Sequence, residues 1–349
     1  STPMTKIRIA AALLALAGAA FAQKPLQKVT FNYPNRSGSN WPMFLAKEGG
    51  YYQKYGLDVT LTFGVMPAGV AMLVSGEGQM VNSSLEQLMQ AASKDGSMSL
   101  IGSFSNKGIF ALMAAKNINS IKELKGKRVA IGQVGDAPYG YMLSLAGKSG
   151  LKPRDMQWIP VGGDANARAA ALTGGRADAT LLTAPAYFKI EEQGYKTLAN
   201  LGEHDEIFAA TTIIFTKKVL QADPNLPVAV LKAEAEAVKR FYEDKTFAVR
   251  AFMNYDKAAV QAEVERVYDL YQKPQVFERI PYVLSGAVKS VLDQQADPQI
   301  AAQMKGYDWK KVIDNSYVEK LVKDGFYEQL FGASIKAEEQ KKAKAAFGK

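Results

Sequence analysis

Two stretches of this chain say nearly the same thing, and what they say restricts the fold to one class. "MLVSGEGQMVNSS", Met72 to Ser84, and "ALTGGRADATLLT", Ala171 to Thr183, place Leu73, Gly76 and Ser84 where Leu172, Gly175 and Thr183 recur 99 positions later. Each reads as the end of a helix, a glycine stop, a short apolar strand, and then a hydroxyl residue where the next helix begins. One such unit in each of two domains would set both strand ends on a common crevice. Chance recurrence of a common helix–glycine–strand phrase is the alternative.

The flanking sequence extends the pattern. "KVTFNYP" reads as a strand, "WPMFLAKEGGYYQKYG" as a helix beginning near Asn40 with Pro42 in its first turn, and "LDVTLTF" as the next strand, a βαβ unit. Strand and helix signals then alternate through "GVAMLVSGEG", "QMVNSS", "LEQLMQAASKDG", "KRVAIG", a helix after Pro138, "MQWIPV", "NARAAALTGG", "ADATLLT" and "PAYFKIEEQG". Alternation on this scale predicts an α/β protein with parallel-type sheets flanked by helices on both faces. Beyond about Lys217 the strand signals stop. Val228, Leu231, Val238 and Phe241 share one helical face, as do Val260, Val264, Val267 and Tyr271, so the last third is expected to be helices packed on an earlier domain.

Composition enters mainly by exclusion. The 349 residues contain no cysteine, which removes disulfides, lipid attachment after a cleavage site and most zinc chemistry, since His204 in "GEHDE" is the lone histidine. Met4, Lys6 and Arg8 precede the apolar run "IAAALLALAGAAFA", and Ala20-Phe21-Ala22 is a small-x-small cleavage site, so residues 1–22 read as a signal peptide and Gln23 as the mature start. The run is shorter than the about 20 apolar residues a membrane span needs. Export without disulfides favours a bacterial periplasm. The net charge is +9, but the signal carries two of those charges and the tail from Lys336 to Lys349 a further three, leaving about +4. With no basic stripe and no helix-turn-helix signal, no nucleic-acid partner is expected. Neither GxGxxG nor a phosphate loop GxxxxGK occurs, and no cofactor and no metal are expected.

Four segments carry a family resemblance. "FLAKEGGYYQKYGLDVTLTF", "INSIKELKGKRVAIG" (with Glu123 where aspartate is usual), "AALTGGRADA" and "LPVAVLKAEAEAVKRF" resemble, in order, motifs of the nitrate/sulfonate/taurine group of periplasmic solute-binding proteins, which includes thiamine-precursor binders. The resemblance covers about Lys28 to Gly332. It implies a two-lobed type II binding-protein fold with a ligand cleft between the lobes. Lobe 1 would comprise residues 23–115 and a helical return over 213–335, lobe 2 residues 116–212, and residues 336–349 a basic tail that binding does not need. It also implies a monomer that captures a small-molecule ligand and serves the permease and ATPase subunits of an ABC importer.

The candidate site follows from strand ends, where open α/β sheets bind ligands and helix N-termini present free N–H groups. After the first strand come Asn35, Arg36, Ser39, Asn40 and Trp41, a segment where the family commonly places ligand contacts; Arg36 has the fork geometry for a carboxylate or sulfonate. Trp41 suits a flat apolar cleft wall or the core. Ser83 and Ser84 end the strand of the first repeat, and Asn106 follows "SLIGSF". In "GQVGDAPYGYM" the family usually carries small hydroxyl residues; here Asp136 stands there with Ala137 and Tyr139, either capping a helix or facing a ligand donor group. Thr183 and Ala184 mirror Ser84, and Tyr187 and Phe188 add aromatic surface.

These residues suggest a binder of a small organic acid, an aromatic carboxylate, sulfonate or similar. The alternatives are a ligand-sensing subunit of a membrane receptor and a thiamine-pyrimidine-precursor binding protein. Fungal thiamine-pyrimidine synthases share the implied fold but use a histidine-bearing, cysteine-rich site, so no enzymatic activity is expected of a chain without cysteine.

Overall fold

The structure is a computed structural model that describes residues 24–92, 96–203, 207–295 and 297–349. The signal segment and His204 lie outside the described residues. Among the described residues ten strands follow in chain order: β1 (Gln27–Tyr33), β2 (Leu57–Phe63), β3 (Met80–Val81), β4 (Met98–Ser103), β5 (Phe110–Ala114), β6 (Arg128–Ile131), β7 (Gln157–Pro160), β8 (Ala179–Thr183), β9 (Lys196–Asn200) and β10 (Thr212–Thr216). They form two five-stranded sheets, in the orders β2-β1-β3-β10-β4 and β7-β6-β8-β5-β9.

Each sheet is parallel where the βαβ pattern predicts it. β1 pairs in parallel with β2 and β3, and β6 with β7 and β8. The exceptions are the strands by which the chain changes sheets: β10 runs antiparallel to β3 and β4, and β5 antiparallel to β8 and β9. Direction explains this. β1, β3, β6 and β8 end at the space between the sheets, and a chain arriving from the other sheet starts there and runs the opposite way. The first passage spans residues 104–109, upstream of the expected Ala115, because β5 already belongs to the second sheet; the second spans 201–211.

Helices bury both faces of the first sheet. Trp41–Glu48 is covered by the returning helices Asn225–Glu243 and Lys245–Tyr255, and Gln261–Gln272 packs on Lys245–Tyr255. Leu231, Val238, Phe241, Val264, Val267 and Tyr271 are buried as their spacing predicts; Val260 is instead exposed, because it is the residue before the helix and not part of its stripe.

The basic tail is helical and packed against the preceding segments. Ile335–Ala345 is helical, Ala346 is buried, the Phe347 N–H donates to the Val283 carbonyl (2.8 Å), and Asn315 Nδ2 donates to the Phe347 carbonyl (3.0 Å). Lys342 pairs with Glu278 at 2.8 Å in a largely buried ion pair. Lys336, Lys341, Lys344 and Lys349 face solvent while Ile335, Glu339 and Ala346 are buried, a pattern too sparse to register as periodicity. Deleting residues 336–349 is therefore expected to lower stability by about 1–3 kcal/mol, since buried Asn315 and half-buried Glu278 lose partners; denaturant unfolding of the truncated protein measures this.

Candidate functional site

The loops that leave β1, β3, β6 and β8 converge on one cleft between the sheets, enclosing about 940 Å³ of space that opens to solvent. Its first wall is built by a network of hydrogen bonds. Asn40 is fully buried and donates from Nδ2 to Asn35 Oδ1 (2.8 Å); its Oδ1 accepts from Asn82 Nδ2 (2.6 Å), and Asn82 Oδ1 accepts the Thr212 N–H (2.9 Å). The Thr212 hydroxyl donates to the Ser83 carbonyl (2.6 Å) and accepts the Ser83 N–H (3.0 Å). Asn35, Asn82, Ser83 and Ser84 face the cleft, so Asn40 shapes that wall from behind and does not line it. Gly38 lies flat against Tyr271, where a Cβ would come within 2.6 Å of the ring.

Ser84 stands both at a helix start and on the cleft wall. Its Oγ accepts the Gln87 N–H (3.3 Å), capping Leu85–Ala92, and the residue also lines the cleft. Its later counterpart matches it only in position: Thr183 ends β8 and lines the cleft, but the next helix, Ala186–Glu192, begins three residues on with Pro185 as its cap residue.

The second wall begins at Asp136, which also does two things. It caps Ala137–Lys148, accepting N–H groups from Tyr139 (2.9 Å, Oδ1) and Gln133 (2.9 Å, Oδ2), and it lines the cleft with Ala137. Burial pushes its carboxyl above the ordinary range, while nearby Arg168 and the backbone donors work against that shift. Phe110 and Tyr141, edge to face at 5.0 Å, and Tyr271 give the cleft an aromatic flank.

Arg168, in the first turn of Ala165–Thr173, also lines this wall, and the sequence reading did not select it. Only 5% exposed, it donates from Nε to the Leu181 carbonyl at 2.9 Å. Burial lowers its pKa, and the charges of Asp136 and Asp164 oppose that. The signal available in the sequence is the "DANAR" spacing, an acidic cap followed one turn later by an arginine.

Several expected contacts lie elsewhere. Arg36 stacks over Phe63 (3.9 Å to the ring centroid) and pairs with Asp164 across the two lobes at 3.4 Å, lining a neighbouring cavity instead. Trp41 is in the core, 0% exposed among Phe241, Phe252, Tyr268 and Tyr271. Asn106 is buried and donates to Glu278 Oε1 (3.0 Å). Tyr139 packs edge-on against Trp158, Ala184 is buried in the core, and Tyr187 is buried edge-on against Phe188. Trp41, Tyr139 and Tyr187 lie in the first turn of helices whose N-termini present only one side to the cleft. Among the described residues no cluster of three or more histidine, cysteine, aspartate or glutamate side chains could hold a metal, and no helix is long and apolar enough to cross a membrane.

The profile of the family described as NMT1/THI5 like matches residues 39–248. The chain belongs to this family. Among curated proteins, this NMT1/THI5-like chain is 32% identical over 124 residues to the 4-amino-5-hydroxymethyl-2-methylpyrimidine phosphate synthase of Schizosaccharomyces pombe; the match spans 35% of each chain. Among solved structures it resembles the alkanesulfonate-binding protein SsuA of Xanthomonas axonopodis pv. citri bound to MOPS (TM-score 0.66, 19% identity, 84% of this chain and 98% of that one). It also resembles the periplasmic nitrate-binding protein NrtA of Synechocystis PCC 6803 (TM-score 0.70, 13% identity, 90% of each). At these identities the likeness establishes the fold: this NMT1/THI5-like protein has the two-lobed architecture of periplasmic binding proteins.

Proposed function

We propose that this protein is the periplasmic substrate-binding component of an ABC importer, exported by residues 1–22, that closes its two lobes on a small organic acid and delivers it to permease and ATPase subunits. The observation that carries the reading is the cleft itself, where polar strand-end loops of both lobes converge beside an aromatic flank, with the fold and family in support. Closure removes ligand and walls from water together, and the closed form is what a permease can distinguish.

The fission-yeast relative favours a second reading, a thiamine-pyrimidine-precursor binding protein, on the same cleft. A thermal-shift screen of inorganic anions, sulfonates, aromatic acids and pyrimidines separates the two, since a ligand at about 100 times its Kd adds about 2.7 kcal/mol. Cells lacking the protein are expected to lose uptake of the compound that stabilises it. Conversion of that compound on incubation with pure protein, seen by mass spectrometry, would instead indicate an enzyme.

A further inference from the structure

We infer that Arg168 is the anion-holding residue of the cleft, and that the group it holds is a singly charged acid, a carboxylate or sulfonate, and not a phosphate dianion. This rests on the binding-protein reading above and adds to it the charge class of the ligand.

Arginine has five N–H donors in a rigid fork. In Arg168 the Nε–H is tied to the Leu181 carbonyl, which fixes the guanidinium plane against β8. Its terminal nitrogens make no hydrogen bond to any described residue, although the side chain is only 5% exposed and lines the cleft. A buried cation without a direct acceptor is costly.

The two carboxylates that could neutralise it are occupied. Asp164 pairs with Arg36 at 3.4 Å, and Asp136 accepts two backbone N–H groups at the head of its helix. Neither forms an ion pair with Arg168 within 4 Å, so both act on it through space alone. The fork is thus oriented and open toward the cleft, the state in which a carboxylate or sulfonate can take two parallel hydrogen bonds.

The same two carboxylates set the charge limit. One negative charge balances Arg168. A second would stand near Asp136 and Asp164 in a partly desolvated space, where like charges repel strongly. Lys107 is the other cation lining the cleft, on the first passage between sheets.

Titration calorimetry on the full chain at pH 8 with benzoate, benzenesulfonate and phenyl phosphate tests both parts. The expected result is that benzoate or benzenesulfonate binds at least about 10-fold more tightly than phenyl phosphate, a comparison that needs no variant. Arg168→Met is expected to weaken the bound monoanion about 100-fold, and Arg168→Lys to fall between, keeping charge but losing the fork. Equal binding by folded Arg168→Met, or a loss at Lys107→Gln with none at Arg168→Met, would overturn the assignment. Phenyl phosphate binding as tightly as the monoanions would overturn the charge limit. Binding of a neutral pyrimidine and of no acid would overturn both, while the importer reading stands on uptake.

Discussion

Trp41→Ala is expected to destabilise the protein by about 3–5 kcal/mol while leaving the affinity of the folded fraction within a few-fold of the parent. The indole is fully buried, its Nε1–H donates to the Ala248 carbonyl at 2.8 Å, and Phe241 and Phe252 each lie 5.1 Å away centroid to centroid. Truncation removes those contacts and the indole hydrogen bond, and opens a cavity where three returning helices meet the first βα unit. Urea unfolding gives the stability, and calorimetry on the folded variant gives the affinity. Unchanged stability with lost binding would return Trp41 to the cleft wall.

The second large effect concerns Glu86. Its side chain, 4% exposed, lies in Leu85–Ala92 where that helix meets Ala137–Lys148 of the other lobe and Ser285–Gln294. Burial, helped by the Asp136 charge and opposed by the Glu86 backbone N–H and the Ser84 hydroxyl, pushes its pKa up to about 7. The folded state therefore holds the Glu86 proton more tightly than the unfolded chain does. That advantage is full below the ordinary glutamate value of 4.5, falls as pH rises from there to about 7, and is gone above it. Glu86→Gln, which stays neutral, is expected to leave stability at pH 4 nearly unchanged and raise it by about 1–3 kcal/mol at pH 8. The new amide N–H also has an acceptor nearby, Gln294 Oε1, itself buried without a partner beside Gly140. Buried Glu234, pushed up to about 8, gives a slope of the same sign, so the difference between variant and parent is the quantity to read. A constant difference across pH would show that Glu86 does not titrate as described.

The sequence revealed the parts of this protein that local chemistry decides. Glycine stops such as Gly76 and Gly175, both at positive φ, and the alternation of strand and helix signals give the elements and the class of the fold. Strand ends then point to the cleft, and Ser83, Ser84, Asp136, Ala137 and Thr183 line it. What was hidden depends on packing between distant segments. Trp41 is a core residue because Ala248 and Phe252, more than 200 positions away, close over it. Arg36 turns from the cleft because Asp164 of the other lobe and the ring of Phe63 attract it. Arg168 enters the cleft because its helix lies on β8, within reach of the Leu181 carbonyl, a contact that no periodicity encodes.

The central claim is that the space between Ser84 and Thr183 holds the ligand. Both residues line the cleft from opposite lobes at strand ends, and Thr183 is half-buried on the ladder opposite Phe110. The most direct measurement is affinity and melting temperature together on Ser84→Leu and Thr183→Leu, using the compound that stabilises the parent most. The account predicts that binding falls at least about 100-fold in both, with Thr183→Leu melting close to the parent and Ser84→Leu losing about 1 kcal/mol of capping. Two folded variants that bind as the parent does would place the ligand outside this cleft.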